Sequence, residues 1–167
     1  MDQEIFKLAE QLGELLKSRG QMIATAESCT GGWIAEAITD IPGSSAWFDR
    51  GFVTYSNHSK ITMLGVETQT LEKYGAVSKE IALAMVKGAL LNSTADLALA
   101  VTGIAGPSGG TEEKPVGTVF LAITGKYVKH KNVLLNLTGT RRSIRKKTVV
   151  MALKETLDYL TKDSESL

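Results

Sequence analysis

The stretch that decides the fold is "MIATAESCTGGWIAEAITD", residues 22–40. Its first part, "MIATAES", is short and apolar, as a buried strand is, and "TGGWIAEAITD" is typical of a helix that ends before Pro42. Between them lies "ESCTGG", residues 27–32, in which the reactive or hydrogen-bonding side chains of Ser28, Cys29 and Thr30 directly precede two glycines. A strand, a glycine turn and a helix in this order indicate an α/β protein. The turn is compatible with a nucleophile, a phosphate cradle or a plain helix start.

The elements on either side of this stretch extend the same pattern. Apolar residues at helical spacing precede it and stop at Gly20, and a second predicted helix follows Ser78, which we expect to be its N-cap. The almost entirely apolar "DLALAVTG" predicts a central strand covered on both faces. The remaining predicted elements are a strand in "FDRGFVTYS", short helices in "NHSKITMLG" and "TQTLEKYG", a hairpin around Gly125 and a final helix from about Thr140 to about Thr161. We therefore predict a three-layer α/β/α sandwich with a mixed sheet, as a single domain over residues 1–167 with its core at about 4–160.

Composition and charge exclude several classes of function. The chain has 167 residues, 43% of them hydrophobic, and a formal net charge of +1, so no overall field attracts nucleic acid or a membrane surface. Its apolar runs are shorter than the roughly 18 residues that span a bilayer. One cysteine and two histidines give no credible metal-ligand spacing. We expect a cytoplasmic homo-oligomer, a dimer or larger, that uses no metal and no cofactor and binds neither nucleic acid nor membrane.

The turn "ESCTGG" is the first candidate site. Glycine turns between strand and helix bind ligands in α/β proteins because the helix N-terminus offers unpaired N–H groups. The turn is neither a P-loop, since the lysine is absent, nor a GxGxxG fingerprint. The simpler alternative is that Ser28 or Thr30 caps the helix and that Gly31 and Gly32 ease packing.

The second candidate is "VTYSNHSK", a polar cluster at the end of an apolar strand. Lys60 falls in the first turn of the next predicted helix, where the helix dipole opposes an ammonium charge. Partial burial would lower its pKa further and favour a neutral amine that can act as a base. The alternative is an exposed lysine on a short helix.

Two further stretches complete the candidate set. In "VTGIAGPSGG" a strand runs into a glycine-rich loop, which suits close approach of a ligand, although a mobile surface loop is the alternative. In "TGTRRSIRKK" cations crowd a helix start, where they oppose the dipole unless an anion is bound. Arg141 and Arg145 share a face at i, i+4 and predict a phosphate clamp. A solvated face or a weak nucleic-acid patch is the alternative.

Taken together, these stretches resemble the CinA C-terminal domain family, which includes nicotinamide mononucleotide deamidases. The resemblance covers about Glu4 to about Leu160. It rests on "TAESCTGGWIA", "GSSAWFDRGFVTYSN", "GAVS", "TGIAGPSGGTEEKPVGTV" and the late arginine pair, all in the family's order. It implies hydrolysis of the carboxamide of nicotinamide mononucleotide to nicotinate mononucleotide and ammonia, a step that recycles the pyridine nucleotide released when NAD is consumed.

Acyl transfer of this kind needs a nucleophile, a base and oxyanion donors. We assign Ser28 as nucleophile, Lys60 as base and Tyr55 as the residue that relays the proton or orients the lysine, with N–H groups near Thr30 and Gly31 as oxyanion donors. The alternative nucleophile is Cys29, with His58 as its base. Consecutive residues leaving a strand point to opposite faces, so only one of Ser28 and Cys29 can face the substrate. The predicted substrate-binding residues are Thr30, Gly31, Gly32, Asn57, Thr102, Gly103, Ala105, Gly106, Arg141 and Arg145. The alternative function is a non-catalytic nucleotide-binding or regulatory module of the same fold.

Overall fold

Five strands form one mixed sheet in the order β2-β1-β3-β4-β5. The computed structural model describes the backbone of residues 2–165 and the side chains of residues 2–162, so the ends of the predicted 1–167 domain lie outside the described residues. The strands are β1 Ile23–Glu27, β2 Phe48–Val53, β3 Leu97–Gly103, β4 Thr118–Gly125 and β5 Val128–Asn136. β1 pairs in parallel with β2 and β3, whereas β3–β4 and β4–β5 are antiparallel. The predicted mixed sheet, with "DLALAVTG" at its centre and a hairpin after Gly125, is confirmed.

Helices cover both faces of the sheet and complete three layers. The α-helices are α1 Gln3–Arg19, α2 Trp33–Thr39, α3 Asn57–Leu64, α4 Thr68–Tyr74, α5 Lys79–Leu91 and α6 Arg141–Glu165. Ser78 is the N-cap of α5, as predicted, and accepts a hydrogen bond from the N–H of Ile81. Gly20 ends α1 in the left-handed conformation, which suits glycine because it lacks a Cβ. The predicted α/β/α sandwich is therefore the observed fold.

The two faces of the sheet differ in side-chain size, and this difference places the helices. One face presents large aliphatic side chains such as Leu99 and Leu121, and it packs against α1, α2 and α6. The other face is built largely of alanines, among them Ala26 and Ala100, and it receives α5. Alternation along a strand puts successive residues on opposite faces, so the large and small residues separate cleanly. Small side chains let α5 approach the sheet closely, and α3 and α4 pack outside it.

The parallel strands set the position of the site. In the register of the sheet, Glu27 at the end of β1 lies beside Val53 of β2 and Val101 of β3. The chain leaves all three strands at the same edge, and open α/β sheets bind ligands at this carboxyl edge. None of the helices within residues 2–165 is long and apolar enough to cross a membrane.

Candidate active site

Three segments meet at the carboxyl edge of the sheet: the turn after β1, the start of α3 and the loop after β3. The N–H of Ser28 donates to the carbonyl oxygen of Val101 at 3.2 Å, and the N–H of Thr54 donates to that of Glu27 at 2.8 Å. These bonds continue the sheet pairing beyond the strand ends. They hold the first residues of each connection at fixed distances from one another.

Ser28 and Lys60 are in contact although 32 positions separate them. Lys60 Nζ lies 3.0 Å from Ser28 Oγ, 2.8 Å from the carbonyl oxygen of Thr54 and 3.3 Å from that of Tyr55. The lysine is 1% exposed and Ser28 is 7% exposed. Burial lowers the pKa of Lys60 from its ordinary value of 10.5, because desolvation penalises the ammonium. The alternative of an exposed lysine is therefore wrong.

The turn after β1 is held by a residue that the sequence analysis did not single out. Glu27 is 1% exposed, and its carboxylate accepts hydrogen bonds from Thr30 Oγ1 at 2.6 Å and from the N–H groups of Ile34 at 2.8 Å and Ala35 at 3.0 Å. A charged residue that ends an apolar strand directly before a glycine turn is the signal that could have found it. Glu27 gives the first turn of α2 the hydrogen-bond acceptor that a capping side chain would provide.

The simpler alternative, that Ser28 or Thr30 caps α2, is wrong. The N-cap is Gly32, which makes no side-chain cap bond. Gly31 and Gly32 have φ values of +62° and +101°, a region that residues with a Cβ rarely adopt, so both glycines are required by the backbone. The N–H of Gly31 donates to the carbonyl oxygen of Ser28 at 3.0 Å, and this N–H is therefore not a free oxyanion donor. Across residues 2–165, no residue accepts a hydrogen bond from the N–H of Thr30 or of Gly32.

Cys29 and His58 do not form a pair. Cys29 is 7% exposed, and burial raises the pKa of its thiol to about 11. The thiolate, which is the nucleophilic form, is therefore strongly disfavoured near neutral pH. His58 is exposed on α3, and within the described residues no hydrogen bond links it to Cys29.

The side chain of Tyr55 has a different partner from the one predicted. Its phenol is 63% exposed, and the hydroxyl accepts a hydrogen bond from Arg141 Nη2 at 2.9 Å. Only its backbone carbonyl contacts Lys60. Asn57 is exposed at the first position of α3, directly after the N-cap Ser56. The structure thus connects Tyr55 to Arg141, whereas Asn57 is exposed three positions before Lys60 on α3.

The end of β3 and the start of the loop after it are largely buried. Thr102 is buried, and its hydroxyl donates to the carbonyl oxygen of Ala76 at 2.8 Å. A Cβ at Gly103 would lie 2.6 Å from Val119, so this glycine permits close packing against β4. Ala105 is 5% exposed. Gly106 has φ +77°, and its carbonyl oxygen accepts a hydrogen bond from Arg141 Nη1 at 2.7 Å. Gly106 therefore lies on the side of this loop that faces α6.

The two arginines of α6 reach different segments of the site. Arg141 bridges Tyr55 and Gly106, as described above. Arg145 donates from Nε to the carbonyl oxygen of Cys29 and from Nη2 to that of Thr30, both at 3.1 Å. Trp33, which the sequence analysis did not include, lies beneath the guanidinium groups of Arg142 at 4.1 Å and Arg145 at 5.6 Å. The predicted arginine pair thus lies at the site, with hydrogen bonds to both glycine-containing segments.

A separate cavity of about 720 Å³ lies between α3, α4 and α5. Its lining includes Met63, Glu80 and Leu91, and none of the predicted site residues lines it. Within residues 2–162, no three His, Cys, Asp or Glu side chains lie close enough together to hold a metal ion. The convergence of polar groups around Ser28 identifies the candidate site.

A buried serine in contact with a buried lysine, at the carboxyl edge of a mixed sheet in an α/β protein, is the central feature of the candidate site. The family profile of the CinA C-terminal domain matches residues 5–160. The chain belongs to the CinA C-terminal domain family.

The two curated relatives of similar length described next share the same name. The chain is 49% identical over 156 residues to the nicotinamide-nucleotide amidohydrolase PncC of Escherichia coli K12, covering 92% of this chain and 93% of that protein. It is 47% identical to the PncC of Enterobacter agglomerans, with 97% and 99% covered. A crystal structure from Agrobacterium tumefaciens, described as competence/damage inducible protein CihA, superimposes with a TM-score of 0.93 at 49% identity, covering 96% and 98% of the two chains. The longer CinA-like protein of Geotalea daltonii matches over 33% of its own length at 55% identity.

Proposed function

We propose that this protein hydrolyses the carboxamide of nicotinamide mononucleotide to nicotinate mononucleotide and ammonia. The observation that carries the proposal is the 3.0 Å contact between Ser28 Oγ and the buried Nζ of Lys60. The relatives named nicotinamide-nucleotide amidohydrolase supply the substrate class. A nucleotide substrate of this kind fits an enzyme of the cytoplasm.

Lys60 is suited to act as a general base. A neutral amine has two N–H donors and one lone pair, and the carbonyl oxygens of Thr54 and Tyr55 can accept from both donors. The lone pair is then left for the hydroxyl proton of Ser28. No carboxylate among the described residues forms a salt bridge with Lys60, and burial lowers its pKa although the neighbouring Cys29 acts in the opposite direction.

The proposed reaction has two steps, acylation of Ser28 and hydrolysis of the resulting ester. Lys60 takes the proton of Ser28 Oγ as that oxygen attacks the carboxamide carbon, and the protonated lysine returns it to the leaving nitrogen, which departs as ammonia. Lys60 then takes a proton from water as the water oxygen attacks the ester carbonyl carbon, and the protonated lysine returns that proton to Ser28 Oγ as the ester bond breaks, which releases nicotinate mononucleotide and regenerates the Ser28 hydroxyl and the neutral lysine. We assign the N–H groups of Thr30 and Gly32 as oxyanion donors, since no residue of the described chain accepts from them.

The substrate is proposed to lie between the turn after β1 and the loop after β3, with its phosphate at Arg141. Two of the five N–H groups of Arg141 bond to Tyr55 and Gly106, which leaves three for an anion. We assign to the same substrate site Asn57, which is exposed at the start of α3, and Gly106, whose carbonyl oxygen accepts from Arg141. Thr102, Gly103 and Ala105 support the site from within, because their contacts face the protein interior.

Ammonia release from nicotinamide mononucleotide tests the proposal, with the variants Ser28→Ala and Cys29→Ala and with EDTA present. We expect Ser28→Ala to abolish turnover, Cys29→Ala to retain most of it and EDTA to change nothing. Circular dichroism checks that both variants are folded. An inactive Cys29→Ala with an active Ser28→Ala would reverse the assignment of the nucleophile, and loss of activity with EDTA would rule out a metal-free mechanism. Binding of the nucleotide without turnover by the wild type would favour the non-catalytic module instead.

We also propose that the protein is a homo-oligomer. Leu134 on the edge strand β5 is 51% exposed, and Tyr127 in the β4–β5 turn is 96% exposed. Exposed apolar side chains on and beside an edge strand are suited to a contact between copies.

A further inference from the structure

Arg145 donates hydrogen bonds to the protein backbone, which binding of a phosphate would not require. Its Nε and Nη2 donate to two consecutive backbone carbonyls, those of Cys29 and Thr30, each at 3.1 Å. These carbonyls belong to the turn that directly follows Ser28. The guanidinium is a planar and rigid fork, so a pair of bonds fixes the orientation of both carbonyls together.

Peptide planarity transmits this orientation to the opposite side of the turn. The carbonyl of Cys29 and the N–H of Thr30 belong to one trans peptide unit and point in opposite directions. When Arg145 holds that carbonyl, the N–H of Thr30 is directed away from Arg145. The Thr30 carbonyl and the Gly31 N–H are related in the same way, and that N–H donates to the Ser28 carbonyl oxygen at 3.0 Å. The N–H of Thr30 is thereby held in one direction, and no residue among residues 2–165 accepts a hydrogen bond from it.

Two neighbours restrict the turn and the guanidinium. The buried carboxylate of Glu27 accepts from Thr30 Oγ1 at 2.6 Å, so the side chain of Thr30 is held as well as its carbonyl. The ring of Trp33 lies 5.6 Å from the guanidinium of Arg145, within the range of a cation–π contact. A Cβ at Gly31 would lie 3.5 Å from Arg145 Nη2, so the guanidinium packs directly against the turn.

We propose that Arg145 is a positioning residue that aims the N–H of Thr30 at the developing oxyanion, and that it does not clamp the substrate phosphate. This inference rests on the proposed amidase function and replaces the phosphate role predicted for Arg145 from the sequence. An oxyanion donor acts more strongly in the transition state than in the ground state, so its misalignment lowers kcat and leaves KM nearly unchanged.

The test compares Arg145→Lys and Arg145→Ala with Arg142→Ala, using nicotinamide mononucleotide and nicotinamide riboside as substrates. Arg142→Ala is a matched control, because it removes the same charge from the same helix turn and loses a Trp33 contact but no carbonyl bond. We expect both Arg145 variants to lose about tenfold to hundredfold in kcat, equally on the two substrates, since loss of an entire oxyanion donor costs roughly 10²–10³. We expect KM to change by less than about threefold, because the lost interaction with the oxyanion is made in the transition state and hardly at all in the ground state. Arg145→Lys should not restore kcat, because a single ammonium cannot reproduce the two hydrogen bonds of the planar guanidinium.

Two further measurements separate positioning from a folding defect. The affinity for nicotinate mononucleotide, measured by calorimetry, should be kept in folded Arg145 variants, and the pH midpoint of kcat/KM should not move because Lys60 is untouched. A rise in KM confined to the phosphorylated substrate would overturn the inference and restore the phosphate clamp. Full activity of Arg145→Lys would overturn it too. If the wild type itself releases no ammonia from either compound, the proposed function fails, which is a different result from an active wild type with an active Arg145 variant.

Discussion

Lys60 illustrates how one residue can be costly for folding and useful for chemistry. A 1% exposed lysine in contact with one hydroxyl and two carbonyl oxygens has no charge partner among the described residues. The sequence analysis predicted a lowered pKa from the helix dipole and partial burial, and burial is the cause of the lowering here. Cys29 is affected in the opposite direction, because burial raises the pKa of its thiol to about 11. The same desolvation thus favours the neutral form of both side chains.

We expect kcat/KM to rise with pH as Lys60 loses its proton, with a midpoint below the 10.5 of an ordinary lysine. The free energy of unfolding should also depend on the protonation of Lys60. Between the folded and unfolded pKa values the unfolded chain binds more protons, so the free energy of unfolding rises with pH there. Chemical unfolding of wild type and Lys60→Met at several pH values isolates this term. The free energy of unfolding of the wild type minus that of Lys60→Met should rise with pH, and a difference that stays constant or falls would contradict the lowered pKa.

At the scale of elements, the position of Lys60 depends on how closely α3 packs against α5. Gly88 of α5 is buried, and a Cβ at this position would overlap the carbonyl oxygen of Leu64 in the last turn of α3. The close contact keeps α3 over the sheet edge and directs Lys60 inward. The sequence shows Gly88 only as a glycine within a helix, because the chain segment that it touches is 24 positions away.

Gly88→Ala is expected to destabilise the protein although alanine is the better helix former. Alanine gains about 1 kcal/mol of helix propensity, whereas overpacking costs about 1–3 kcal/mol and must here be relieved by a shift of α3. We expect a lower Tm and a reduced kcat, because Lys60 moves with α3. Lys87→Ala, on the exposed side of the same helix, is the control and should change stability by no more than about 0.5 kcal/mol. A Tm that rises in Gly88→Ala would show that the contact is loose.

At the scale of the whole molecule, the site is closed by the last helix of the chain. Arg141 connects α6 to Tyr55 and Gly106, which follow β2 and β3, while α6 also packs against α1 and the sheet. Residues from the beginning, middle and end of the chain therefore meet at one edge. The matched length of the PncC relatives agrees with a site that needs nearly the entire domain.

We predict that Arg141→Ala raises KM for nicotinamide mononucleotide by roughly tenfold to hundredfold, the loss expected for one charge-assisted hydrogen-bond partner. Its kcat should fall less, because binding to a distant phosphate is shared by the ground and transition states. Nicotinamide riboside, which lacks the phosphate, should be a poor substrate for the wild type and little affected by the change. Steady-state kinetics on both compounds decide this. Equal losses on the two would place the phosphate elsewhere, for which the N–H groups of the "TGIAGPSGG" loop are the next candidates.

The sequence by itself determined the elements and the candidate stretches of this protein. Periodicity and glycine positions are local properties, and they sufficed for the mixed sheet, the central β3, the Ser78 cap and the four stretches that meet at the site. Tertiary structure alone decided what each polar group touches. Glu27 supports α2 where Ser28 or Thr30 was expected, the phenol of Tyr55 bonds to Arg141 and not to Lys60, and Arg145 holds the carbonyls of the turn. The physical reason is that hydrogen-bond partners and burial depend on residues far apart in the chain, such as Ser28 and Lys60, which no local pattern specifies.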